Sequence, residues 1–119
     1  VSAARPLVAC LCAAWCGACR EYRPTFDALA ARFAAVADFA WIDVEDESDA
    51  LGDPDIENFP TLLIASGDAA LFYGPVTPQA QTAERLVQGA VAGELLPLGD
   101  DGGDAAALAA SVRHLTRRE

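Results

Sequence analysis

The sequence has no lysine, one histidine and no long apolar run. A bilayer-spanning helix needs about 20 apolar residues, and the longest apolar stretch here, Leu7 to Trp15, is far shorter. The eight basic residues are all arginine and are outnumbered by 18 acidic ones, which leaves a formal net charge of −10. Such a surface repels phosphate backbones and anionic headgroups, so nucleic acid and membrane surfaces are excluded as expected partners. His114 stands alone far along the chain and forms no recognisable nucleophilic dyad. No segment repeats, and cysteines are missing from positions where they could close long loops. The first residues, Val1 to Pro6, lack the charged start of a signal peptide, so a cytoplasmic location is expected.

What is present is a chain of 119 residues, 53% hydrophobic, enough for one small core. Leu7 to Ala13 is apolar at every position, as in a central strand covered on both faces. From Cys19 onward, Tyr22, Phe26, Leu29, Ala30 and Phe33 recur at helical spacing, with Pro24 inside the run as an expected kink. Phe39 to Val44 reads as a second strand, and the acidic stretch Glu45 to Glu57 as loops with a short, solvated helix. Calcium-loop spacing is not met there. Thr61 to Ala65 and Ala70 to Tyr73 form an expected hairpin around a turn at Gly67-Asp68. Pro78 to Val91 carries a helical stripe at Ala83, Leu86, Val87 and Ala90. After a loop at residues 99–103, Asp104 is placed to cap a last helix reaching about Arg117, whose apolar stripe includes Leu108, Val112 and Leu115. This order implies an α/β fold with a mixed sheet.

All four cysteines, Cys10, Cys12, Cys16 and Cys19, fall within ten residues. Such clustering points to redox chemistry or a metal site. Cys16 stands where a buried strand gives way to a helix. Unpaired N–H groups and the helix dipole favour a thiolate there, and the thiolate is the attacking species. Cys19, one turn on, can reach the same sulfur, Gly17 permits a tight turn, and Trp15 offers an apolar face. Cys10 and Cys12 share one face of a strand. They read as small buried thiols, or as thiols behind Cys19 able to exchange with it. Four thiolates also match zinc in number, which keeps a metal-binding module open as an alternative. A non-catalytic adaptor is the other.

Trp15-Cys16-Gly17-Ala18-Cys19 resembles the W-C-G-P-C active site of the thioredoxin family, with Ala18 replacing proline. Pro24 matches the proline of the family's active-site helix, Phe59-Pro60-Thr61 its I-P-T segment, and Gly74 its glycine after the last strand. The resemblance covers about residues 6 to 92. It implies a thioredoxin fold, a central mixed sheet flanked by helices, as a domain over residues 1–92. Residues 93–119 then form a C-terminal extension, a loop plus an extra helix packed on the domain or on a partner. It implies a thiol–disulfide oxidoreductase that reduces protein disulfides, with Cys16 and Cys19 catalytic and Trp15, Phe59 and a cis Pro60 binding substrate. Such a protein acts as a monomer with a thiol or reductase donor and needs neither cofactor nor metal. Glu57 falls near the site in this alignment and opposes thiolate formation there.

Two departures stand out. The family's buried aspartate, six residues before the first cysteine, is Cys10 here, and the lysine accompanying it aligns with Trp41. Both charges are absent together, which avoids stranding one of them. The base that helps the second cysteine lose its proton is thereby missing, so a slower resolving step is expected, and Cys10→Asp is expected to raise turnover. Gly17 and Ala18 tune the thiolate, and Cys10 and Trp41 line its support.

Overall fold

The computed structural model describes residues 6–13, 16–47, 60–66, 69–76, 80–95 and 103–117. Its elements are strand β1 (Leu7–Cys12), helix α1 (Gly17–Phe33), strands β2 (Asp38–Asp43), β3 (Thr61–Ser66) and β4 (Ala69–Pro75), and helices α2 (Ala80–Ala92) and α3 (Gly103–Arg117). The expected turn at 67–68 and nearly all of the expected acidic helix lie outside the described residues, although Val44 to Glu47 form a turn.

The sheet order is β2-β1-β3-β4. β1 runs parallel to β2, with Cys10 opposite Trp41, and antiparallel to β3, with Leu11 opposite Thr61. β3 and β4 are antiparallel, with an irregularity between Ile64 and Ala65. Two neighbouring strands and a covered surface on each side explain why β1 is apolar throughout: every one of its residues is buried.

Alternation along β1 sends its side chains to two different layers. Leu7, Ala9 and Leu11 join Ile42, Leu63, Ala65 and the α3 residues Ala105, Leu108, Ala109 and Val112. Val8, Cys10 and Cys12 face the opposite way, toward Cys19, Tyr22, Phe26 and Leu29 of α1 and Ala83, Val87 and Ala90 of α2. The last helix therefore packs on this chain's own sheet, across from the helix that follows the cysteine motif. Arg32 and Glu84, 2.6 Å apart, tie α1 to α2 at their outer edge.

Helix α2 ends where Gly93 takes φ of 75°, a left-handed conformation suited to glycine, and the Glu94 N–H returns to the Gly89 carbonyl at 2.8 Å. Two local expectations change and one holds. Helix α3 already includes Gly103, so Asp104 lies within its first turn and not at its cap. Gly74 lies inside β4, opposite Leu62, and not after it. Pro24 stands in the interior of α1, as the sequence indicates.

Candidate active site

β1 delivers the chain to one end of the sheet, and α1 starts there. Cys16 is the N-cap residue of α1, with extended backbone (φ −83°, ψ 117°). Its N–H donates to the Ala13 carbonyl at 3.0 Å, and its own carbonyl accepts from Arg20 at 3.3 Å. This holds the sulfur against the unpaired N–H groups of the first turn. As a thiol, Cys16 makes no capping hydrogen bond of full geometry. As a thiolate it draws chiefly on the Cys19 N–H, which holds its pKa below the ordinary thiol range. The Cys19 thiol, the Ala18 N–H and the Arg20 charge act in the same direction, against a contribution from partial burial.

Cys19 is the reverse case. Only 2% of its surface is exposed. Burial, first, and the Cys12 thiol, second, push its pKa well above the ordinary range, while the Ala13 N–H opposes them. One C-x-x-C pair thus holds a thiol poised to ionise beside one that resists ionisation.

Behind Cys19 the sulfurs continue inward. Cys19 interacts electrostatically with Cys16 on one side and with Cys12 on the other. Cys12 and Cys10, both buried, stand with their sulfurs 3.6 Å apart. The hydrogen bond with Cys10, then burial, drive the Cys12 thiol strongly upward. The thiol of β1 that directly partners Cys19 is therefore Cys12, and Cys10 is the next in line. All four cysteines are free. Among the described residues no three His, Cys, Asp or Glu side chains are grouped to hold a metal, so the geometry lends the metal-module alternative no support.

Trp41 sits beside Cys10 in the parallel register. It packs edge-to-face on Phe26 with centroids 5.6 Å apart, under the Arg23 guanidinium at 4.7 Å. An aromatic lid, and not a buried cation, flanks Cys10. Sequence reasoning missed Tyr22 as anything more than core. Its ring is 1% exposed in the cysteine layer, and its hydroxyl has no hydrogen-bond partner among the described residues. Burial, first, and the neighbouring Cys10 and Cys12 push its pKa up to about 12. Its place on the same helical face as Cys19, three residues away, was the available signal.

Of the remaining candidates, Pro60 is buried immediately before β3, and its carbonyl accepts from Val76 at 3.1 Å. Extending the β1–β3 register by one residue sets it beside Cys12, at the sheet end where α1 begins. Gly17 and Ala18 are exposed in the first turn of α1. Gly17 has no left-handed backbone, and a Cβ there would meet nothing nearer than Arg20 at 3.9 Å, so the expected tight turn does not require glycine. Trp15 and Phe59, Glu57 and the peptide bond leading into Pro60 lie outside the described residues. His114 is exposed on α3, away from the cysteine layer.

Comparison with known proteins gives one family. The thioredoxin family model matches residues 1–88. The fold is similar to that of Fasciola hepatica thioredoxin (22% identity, TM-score 0.64, covering 72% of this chain and 81% of that one). It is also similar to the germline-specific thioredoxin Deadhead of Drosophila melanogaster (20%, TM-score 0.63, 71% and 79%). Thioredoxin NaTrxh of Nicotiana alata is a third (25%, TM-score 0.62, 71% of each chain). No curated protein matches the chain at a significant level.

Proposed function

The chain belongs to the thioredoxin family, whose general chemistry is thiol–disulfide exchange, and on that premise we propose that it reduces protein disulfides through a Cys16–Cys19 dithiol/disulfide cycle. The observation that carries this reading is the opposite bias of the two thiols, Cys16 below the ordinary range at a helix N-terminus and Cys19 above it in the core.

The Cys16 thiolate attacks one sulfur of a substrate disulfide, and the other substrate sulfur leaves as a thiolate. Cys19 then gives up its proton and attacks the Cys16 sulfur. The Cys16–Cys19 disulfide forms and the second substrate sulfur departs, so the substrate gains the two electrons that the pair loses. A thiol or reductase donor returns them. The second step limits turnover, because Cys10 stands where a carboxylate would help Cys19 lose its proton, and the neighbour of Cys10 on β2 is Trp41. Trp15, Phe59 and Pro60 contact the substrate, while Gly17, Ala18, Cys10 and Trp41 shape the thiolate's support. The reducing direction suits a cytoplasmic monomer. The redox unit is residues 1–92, with 93–119 as an appended segment.

Paired variants test the cycle. Cys16→Ser is expected to abolish reduction of a model protein disulfide, a loss of at least about a thousandfold given that no other thiol is both exposed and ionisable. Cys19→Ser is expected to accumulate a mixed disulfide on Cys16, seen as a mass adduct. Reduction at an undiminished rate by Cys16→Ser would refute the assignment.

A further inference from the structure

The cycle leaves unused two buried thiols and one buried hydroxyl, all in the layer beneath Cys19. Cys10 and Cys12 point from the same face of β1 into the cluster that contains Cys19 and Tyr22. Their sulfurs are 3.6 Å apart, and Cys12 shares the buried cluster with Cys19 and interacts with it electrostatically. Cys19 therefore has a sulfur on each side, Cys16 toward solvent and Cys12 toward the core. Exchange requires a sulfur adjacent to the disulfide it attacks, and this arrangement meets that condition from both sides.

We propose that Cys12 is a third redox thiol, able to take the disulfide from Cys16 and hold it as a buried Cys12–Cys19 bond. In this step the Cys12 thiolate attacks the Cys19 sulfur of the Cys16–Cys19 disulfide. The Cys12–Cys19 bond forms, the Cys16–Cys19 bond breaks, and Cys16 leaves with the electron pair as a thiolate. The proton lost by Cys12 balances the one that Cys16 can take up. One disulfide and two thiols stand on each side, so no oxidant or reductant is consumed. The inference rests on the Cys16–Cys19 cycle proposed above.

The step is uphill at its start, because the hydrogen bond with Cys10, first, and burial, second, oppose a thiolate on Cys12. One donor is in place to offset this. Tyr22 is fully enclosed beside both thiols with its hydroxyl unpartnered, an arrangement that costs stability unless an acceptor appears. A thiolate on Cys12 is such an acceptor. The products are favoured by the helix N-terminus, which keeps the released Cys16 sulfur ionised. The migrated form carries a disulfide out of reach of an external reductant while Cys16 is again free to attack. It is a stored oxidised state, slow to enter and slow to leave.

The test uses the full chain with oxidised glutathione as oxidant. After acid quenching and unfolding, free thiols are alkylated, disulfides are reduced and labelled with a second reagent, and the four cysteines are read by fragment mass spectrometry. Wild type is expected to form Cys16–Cys19 first and Cys12–Cys19 on longer incubation. Cys12→Ser is expected to stop at Cys16–Cys19 however long the incubation. Tyr22→Phe, which keeps the ring, is expected to slow the migration about tenfold, the value of a hydrogen bond to a charged group. If wild type holds Cys16–Cys19 with Cys10 and Cys12 reduced at every time, Cys12 is only a packing residue and this inference falls while the Cys16–Cys19 cycle stands. If wild type forms no Cys16–Cys19 disulfide at all, the cycle itself falls, and the migration with it.

Discussion

The two layers that β1 separates share a backbone and differ in chemistry. On the α3 side, Leu7, Ala9 and Leu11 meet only aliphatic and small side chains, with Tyr73 at the margin. On the α1 and α2 side, residues offset by one position along the same strand meet thiols, Tyr22, Phe26 and the flanking Phe39 and Trp41. Among the described residues, the fully buried members of the first layer carry no ionisable group, although the Nε of Arg113 in α3 is enclosed. The second buries Cys10, Cys12, Cys19 and an unpartnered phenol. The contrast assigns stability to one side of the sheet and reactivity to the other. A side that holds raised thiols and an orphan hydroxyl is less stable than its apolar area alone would make it.

The largest stability effect is therefore expected on the quiet side. Leu108→Ala, in α3, should cost about 2–4 kcal/mol in denaturant unfolding, the usual range for a buried leucine. The reactivity of Cys16 in the folded protein should not change. An altered Cys16 alkylation rate at equal folded fraction would break the division between the layers.

Tyr22→Phe probes the reactive side through pH. The phenol's pKa is raised in the fold from its ordinary 10.0 to about 12, so the native state holds its proton more tightly than the unfolded chain does. Its contribution is present in full below pH 10 and is lost as pH rises from 10 to 12, amounting to roughly 2–3 kcal/mol at about 1.4 kcal/mol per unit. Tyr22→Phe should make the alkaline limb of a stability–pH curve shallower in that window, and should stabilise the reduced protein near neutrality by about 1 kcal/mol by removing an unpaired buried group. A curve identical to wild type between pH 10 and 12 would contradict the placement of this hydroxyl.

The smallest effect is at the outer edge of the same layer. Arg23→Gln removes the guanidinium over Trp41 and should cost about 0.5–1 kcal/mol, the range for an exposed cation–π pair, in thermal or denaturant unfolding. A loss much beyond that would mean that Trp41 depends on Arg23 to cover Cys10.

Much of this architecture was legible in the residues. A strand apolar at every position has to be central, and β1 is. The stripe from Cys19 through Tyr22, Phe26 and Leu29 is the buried face of α1. The thiolate position of Cys16 followed from its place between strand and helix. What a two-residue alternation cannot reveal is which helix covers which face, because that depends on the crossovers and not on the strand. Hence the side taken by α3 came only with the structure, as did the choice of Cys12 over Cys10 as the partner of Cys19. Both thiols point the same way from β1, and only the rise of α1 across the sheet end decides which one Cys19 meets. Gly17 shows the opposite error. A glycine in a motif suggests backbone need, yet its backbone here is one that any residue can adopt.

The central claim is that one C-x-x-C pair is split into an ionisable outer thiol and a resistant inner one that together form a redox couple. Titrating the protein against glutathione buffers, with each cysteine read by alkylation and mass spectrometry, tests it most directly. The account predicts a reversible two-electron couple whose first-formed disulfide joins Cys16 to Cys19. Oxidation that begins elsewhere among the four thiols, or none at all across the glutathione range, would contradict it.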